Sequence, residues 1–272
     1  ENKTAQNSSK NHTLTIFIHG SILKLPILYA AKKNCPDGLA SFDQVHDQCG
    51  YKRVLRYLNE VDPVKYPKEN LYMFGWCGSL KSRNREPQGA KLYQELQQVI
   101  KDYKAKYKIT PKIRMITHSN GGSIALYSGK AAKKQNNKNY KIEELVMLAC
   151  PVQYITSKLI PQRVFRKIFS IYSMSDWVQT FAPQSHKNFK CKENTNCQKC
   201  LTPLFSARCF PAYPNLIQAK IRLNNRGISH SAFLRHKFMR KLPEVIEILN
   251  KEWDKPHLPV NNKQCGVVIK IC

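Results

Sequence analysis

Short apolar, β-branched runs alternate along this chain with longer segments of helical periodicity. After a polar opening that ends at Thr13, Leu14 to Ile18 reads as a strand. Leu71 to Phe74 is the next run, followed by Gln88 to Lys106, where Leu92, Leu96, Val99, Ile100 and Tyr103 mark one face of a helix. Ile113 to Thr117 is again strand-like, and a helix begins just beyond Gly121 and Gly122. Leu145 to Ala149, Ile168 to Tyr172 and Ala219 to Leu223 continue the series, with Ala219 to Leu223 its last strand and a closing helix around Phe238 to Leu249. Repeated strand-then-helix order predicts an α/β domain with a mostly parallel, wound sheet, whose ligands sit beyond the carboxyl ends of the strands.

Three regions lie outside that alternation. Residues 1–12, rich in Asn, Ser and Lys, read as a flexible N-terminus. Asn34 to Asp62 and Trp177 to Pro214 read as insertions, the second a Cys-rich loop or cap, and 254–272 reads as a C-terminal tail. At 272 residues the whole is expected to form one domain, residues 1–272. No apolar run approaches the roughly 18 residues that span a bilayer.

Ten cysteines are many for a reducing compartment and predict disulfides, hence a secreted protein or another oxidising location. The first residue is Glu, which fits removal of a signal peptide. Cys197 and Cys200 form one Cys-x2-Cys half of a zinc pattern, but with Cys191 and Cys209 the spacing is irregular, so disulfide staples are the better expectation and no metal is assigned. A net charge of +27 favours anionic partners, an anionic membrane surface among them. The lysines are scattered and no zinc-finger, RNA-binding or aromatic-interleaved pattern accompanies them, which argues against nucleic acid as the main partner.

The chemistry concentrates at Thr117-His-Ser-Asn-Gly-Gly122, between a strand and a helix. A serine hydroxyl becomes a useful nucleophile when a sharp turn projects it toward a base and an oxyanion site, and Gly121 and Gly122 supply the smallness such a turn needs. In the usual G-x-S-x-G pattern the position of Thr117 is glycine, so the turn is crowded there. If Ser119 attacks, an acid and a histidine must follow in chain order at the ends of later strands. Between Ser119 and His230 stand Glu143, Glu144, Asp176 and Glu193, and only Asp176 directly follows a strand. Of the later histidines, His186, His230, His236 and His257, the position between the last strand and the last helix suits His230, with His236 the runner-up. For the oxyanion, the backbone N–H of Asn120 is one candidate donor and Ser21 or Ile22, after Phe17-Ile-His-Gly20, the second. His19 and Gly20 belong to that loop, where both are candidates for substrate binding and His19 is expected to orient the loop. Trp76, ending another strand, is a candidate for the substrate wall beside them. The apolar stretch Ile22 to Ala30 lines an acyl pocket, forms a lid, or is an ordinary buried helix.

The combination of strand-His-Gly, His-Ser-Asn-Gly-Gly, strand-then-Asp176 and loop His230 resembles the α/β-hydrolase family, its lipases and esterases in particular, over roughly Leu14 to Leu249. The resemblance implies a serine hydrolase in which His230 deprotonates Ser119, Asp176 orients the imidazole and an acyl-enzyme forms, with no cofactor. It implies a small-molecule or lipid ester as substrate. The position of Thr117 and the lack of a full set of preceding strands suggest a compact version of the fold. A non-catalytic protein that keeps the scaffold and binds through its basic surface, or a peptidase or thioesterase on the same triad, are the alternatives.

Overall fold

The computed structural model describes residues 12–21, 34–181, 206–255 and 267–271. Its centre is an eight-stranded sheet in the order β2-β3-β1-β4-β5-β6-β7-β8. The strands are β1 (Thr13–Ile18), β2 (Gly38–Ser41), β3 (Leu71–Gly75), β4 (Lys112–His118), β5 (Ile142–Leu148), β6 (Phe165–Tyr172), β7 (Leu216–Leu223) and β8 (Val267–Ile271). Every pairing is parallel except that of β2 with β3. The central strands read as near-continuous apolar runs because both faces of a parallel sheet are covered.

One face carries α1 (Lys52–Val61) and α7 (Leu242–Trp253), whose Leu55, Leu58, Val245 and Leu249 pack with Phe17, Ile116 and Phe169. The other carries α2 (Arg85–Tyr107) and α3 (Gly121–Lys134), where Leu92, Leu96, Ile124 and Leu126 meet Ile16, Met115 and Leu145. Short helices α4 (Tyr154–Ser157), α5 (Trp177–Phe181) and α6 (His236–Met239) join these layers. The expected helix over Gln88 to Lys106 lies inside α2.

The chain begins mid-sheet at β1, builds outward through β3 and β2, then crosses back to β4 on the other side of β1. The loops leaving β1 and β4 therefore diverge, and the crevice between them is where open parallel sheets bind their ligands.

Two expectations are corrected. Ala219 to Leu223 is not the end of the series: within the segment read as a tail, β8 pairs with β7 from Ala219↔Val267 to Leu223↔Ile271. It does so because Ile269 and Ile271 alternate inward onto the α7 face of the core, a period too short to stand out in a polar tail. The Asn34 to Asp62 insertion is structured, with β2 capping the sheet edge, α1 following it, and a Cys35–Cys49 disulfide tying the connection. Residues 1–11, the Ile22 to Ala30 stretch, and Cys191, Cys197 and Cys200 of the Cys-rich loop lie outside the described residues.

Candidate active site

Ser119 occupies the turn between β4 and α3 with φ 53°, in the left-handed region that non-glycine residues avoid at a cost of about 1–3 kcal/mol. Its N–H donates to the Leu148 carbonyl of β5 at 2.8 Å, and its own carbonyl accepts from Gly122 N–H at 3.1 Å, so the turn is held from both sides. The two loops of the crevice touch here. A Cβ on Gly121 would stand 2.4 Å from the Ile18 carbonyl oxygen, and one on Gly20 would stand 2.6 Å from the Ser119 Cβ. Only hydrogen at those two positions allows β1 and the serine turn to approach so closely. Thr117 is buried at the usual glycine position, and its hydroxyl donates to the Val146 carbonyl at 3.3 Å, which turns the extra side chain toward β5.

Asp176 and His230 meet directly. Asp176 follows β6 and His230 follows β7, and the His230 Nδ1–H donates to Asp176 Oδ2 at 2.8 Å. The carboxylate can only accept, so this bond fixes the proton on Nδ1 and leaves Nε2 with its lone pair free to act as a base. Asp176 is fully buried, and its other oxygen accepts the Gln179 N–H at 3.0 Å, capping α5. The cap and the histidine partner are thus one side chain. The loops are latched by Ser173, whose Oγ accepts the Ile228 N–H at 2.9 Å two residues before His230. The Arg208 guanidinium adds a bond to the Asp176 carbonyl at 3.2 Å. His236, the runner-up, heads α6 and sits edge-on to Tyr57 at 5.1 Å between ring centres.

His118 is the residue that sequence reasoning missed. It precedes Ser119, and its Nε2–H donates to the His230 carbonyl at 3.0 Å while the two imidazoles lie 4.6 Å apart. The His230 backbone is thereby tied to the side chain of the residue before Ser119. Burial, reinforced by the neighbouring His230, holds His118 well below the usual imidazole range and therefore neutral. The only signal available in the sequence was its place at the end of the apolar β4 run.

On the oxyanion side, Asn120 Nδ2 donates to Ser21 Oγ at 2.9 Å, and Ser21 Oγ donates to the Ser79 carbonyl at 3.2 Å. This side-chain chain clamps the residue after Ser119 to the loop after β1, the two segments from which backbone donors were expected. Ile22 lies outside the described residues.

His19 and Trp76 take a role other than the substrate wall. Both are buried in the layers behind the loop, and their polar atoms serve each other. His19 Nδ1 donates to the Gly20 carbonyl at 2.7 Å, Nε2 accepts the Trp76 N–H at 3.2 Å, and the Trp76 indole N–H donates to the His19 carbonyl at 2.9 Å. The His19 ring stacks on Tyr51 at 4.7 Å and an interplanar angle of 6°. These residues brace the loop, as expected of His19, and a substrate does not reach a side chain so enclosed. Cys150, buried beside Gly122, is also no second nucleophile, since burial pushes its thiol up to about 12.

The wound, mostly parallel sheet with a strained serine turn between β4 and α3 defines an α/β-hydrolase fold. The chain matches no protein-family model and no curated protein. Among solved structures it is similar to phospholipase PlaB from Legionella pneumophila in complex with thio-NAD, at 19% identity and TM-score 0.31 over 51% of this chain. It spans 25% of the length of that phospholipase. An alpha-beta serine hydrolase homologue from Coxiella burnetii is 15% identical at TM-score 0.39, covering 88% of this chain and 84% of its own. Est1E from Butyrivibrio proteoclasticus, with ferulic acid bound, is 14% identical at TM-score 0.39, covering 91% and 92%.

Proposed function

We propose that this protein is a serine hydrolase that cleaves carboxylic esters, lipid-like ones by preference, with Ser119 as nucleophile, His230 as base and Asp176 as the group that orients it. The observation that carries the reading is the Asp176–His230 hydrogen bond of 2.8 Å, with the His230 backbone bonded to His118, the residue before a serine at φ 53°. In the proposed cycle His230 Nε2 takes the Ser119 hydroxyl proton as Oγ attacks the ester carbonyl carbon. The carbonyl oxygen becomes an oxyanion, held by the Asn120 N–H and by the loop after β1, which the Asn120–Ser21 bond keeps in register. The tetrahedral intermediate collapses, the C–O bond to the alcohol breaks, and the imidazolium returns its proton to the departing alkoxide. Water, deprotonated by the same His230, then attacks the acyl-enzyme and releases the acid. The Cys35–Cys49 disulfide supports an exported, oxidising location for this activity.

Labelling with a fluorophosphonate tests the assignment. The wild-type chain is expected to be modified at Ser119, and Ser119→Ala is expected to abolish both labelling and hydrolysis of a panel of p-nitrophenyl esters. A folded wild-type chain that stays unlabelled would sink the proposal and favour a non-catalytic binding role.

A further inference from the structure

The exposed large apolar side chains of the described residues are unevenly placed. Val61, Val64 and Ile109 lie at the amino edge of the sheet and Val268 on its edge strand β8, but Leu80, Tyr154, Met174, Trp177, Val178 and Phe181 all lie in segments that leave the carboxyl ends of β3, β5 and β6. The densest part is α5 with the turn before it, where Met174 is 50%, Trp177 66% and Phe181 62% exposed immediately around Asp176. Placing an indole and its neighbours in water beside a site is costly unless something apolar covers them.

The charges on the same edge narrow what that is. Segments 76–84, 149–158, 173–181 and 224–231, with Arg208, carry Lys81, Arg83, Lys158, Arg208 and Arg226 but one carboxylate, Asp176, which is buried on His230. Two of these cations lie over the apolar patch itself, Arg208 5.8 Å above the Trp177 ring and Lys158 4.0 Å above Tyr154. Glu143, Asp62 and Asp254 lie toward the amino edge, and the two carboxylates nearest the carboxyl edge outside these segments, Asp37 and Glu86, are each paired with lysine. An apolar centre with an indole and a rim in which cations outnumber carboxylates complements the interface of an anionic bilayer, where aromatic rings settle at headgroup depth and cations meet lipid phosphates and carboxylates.

We propose that the carboxyl edge around α5 is a docking surface for an anionic lipid bilayer, and that it presents esters held in that bilayer to the candidate site. The inference rests on the ester-hydrolase reading for what happens after docking, but docking itself needs no catalysis. The net charge of +27 draws the protein to such a surface from a distance, and the Met174–Phe181 segment sets which face arrives first.

Vesicles test it. The full chain is incubated with vesicles of phosphatidylcholine alone or with added phosphatidylserine, and binding is read by sedimentation and by tryptophan emission. Binding to the phosphatidylserine vesicles with a blue shift is expected, weakened about tenfold or more in the double variant Trp177→Ala/Val178→Ala through lost apolar burial. Ile109→Ser, an equally exposed apolar site on the far edge, is expected to bind like wild type. The inference is overturned if the chain stays in the supernatant with phosphatidylserine vesicles, or if the double variant, shown folded by its melting curve, sediments as well as wild type. Fluorophosphonate labelling of the same samples keeps the two readings apart. A labelled chain that fails to sediment overturns docking alone, and a sedimenting chain that resists labelling overturns the hydrolase reading alone.

Discussion

An imidazole packed where no water reaches it is a neutral donor, and His118 uses that state to hold the backbone of His230. Its role separates two histidines that differ only in surroundings. His230 has a carboxylate on one nitrogen, as the proposed cycle needs, whereas His118 faces a carbonyl and another imidazole and is kept uncharged. Because its folded-state pKa lies below the unfolded value near 6.5, the stability it contributes is complete above that pH and is lost as pH falls through it, when the unfolded chain takes up a proton that the native site resists. Melting temperature is therefore expected to fall between pH 7.5 and 5.5 in the wild type, with a flatter profile in His118→Asn. An unchanged slope in the variant would assign the loss to other groups. The sequence placed Ser119, Asp176 and His230 by chain order alone, because each follows a strand and the order of strands limits what can meet. It could not find His118, Ser173 or the Asn120–Ser21 clamp, whose partners lie 112, 55 and 99 residues away along the chain.

At the scale of elements, β4 and β5 are joined by more than their ladder. Arg114 pairs with Glu144 at 2.6 Å across the two strands, and Asn250 of α7 donates to the same carboxylate at 2.8 Å. Burial pushes the Glu144 carboxyl up, but the Arg114 guanidinium and these hydrogen bonds outweigh it and leave it below its ordinary value. Both side chains are nearly enclosed, so removing one strands the other's charge in the core. Arg114→Met is expected to cost about 3–5 kcal/mol in urea unfolding, and the double variant Arg114→Met/Glu144→Leu to recover most of it. A double variant no better than Arg114→Met would mean that the pair itself, and not the unpaired charge, holds β4 to β5. From the sequence pattern, with a strand beginning at Leu145, Glu143 and Glu144 would precede it. They lie instead within β5, whose start at Ile142 was masked by that charged pair in the pattern. They still lie at the amino end of β5, whereas Ser119 follows the carboxyl end of β4. The missed strand β8 has the opposite cause, since two inward isoleucines at an edge need a neighbour before they read as structure.

For the molecule as a whole, 45 Lys and Arg against 18 Asp and Glu make like-charge repulsion a standing cost of the compact state. In most ion pairs of the described residues at least one partner is more than half exposed, so they offset little of it. Raising sodium chloride from about 10 mM to about 150 mM shortens the Debye length from about 30 to about 8 Å, and melting temperature is expected to rise by about 2–4 °C as repulsion is screened. A flat or falling response in differential scanning fluorimetry would mean that specific pairs outweigh the net charge. The sequence by itself determined the layered α/β plan and the strand-to-helix turn at Ser119, and chain order named Asp176 and His230 as candidate partners, because hydrophobic period and chain order are local or one-dimensional properties. Only the tertiary structure decided that His19 and Trp76 brace the loop instead of lining it, that His118 bonds to the His230 backbone, and that the carboxyl edge is apolar and basic at once. Those outcomes depend on which side chains share a few ångströms after the sheet has closed, and contacts between residues tens of positions apart leave no period in the chain.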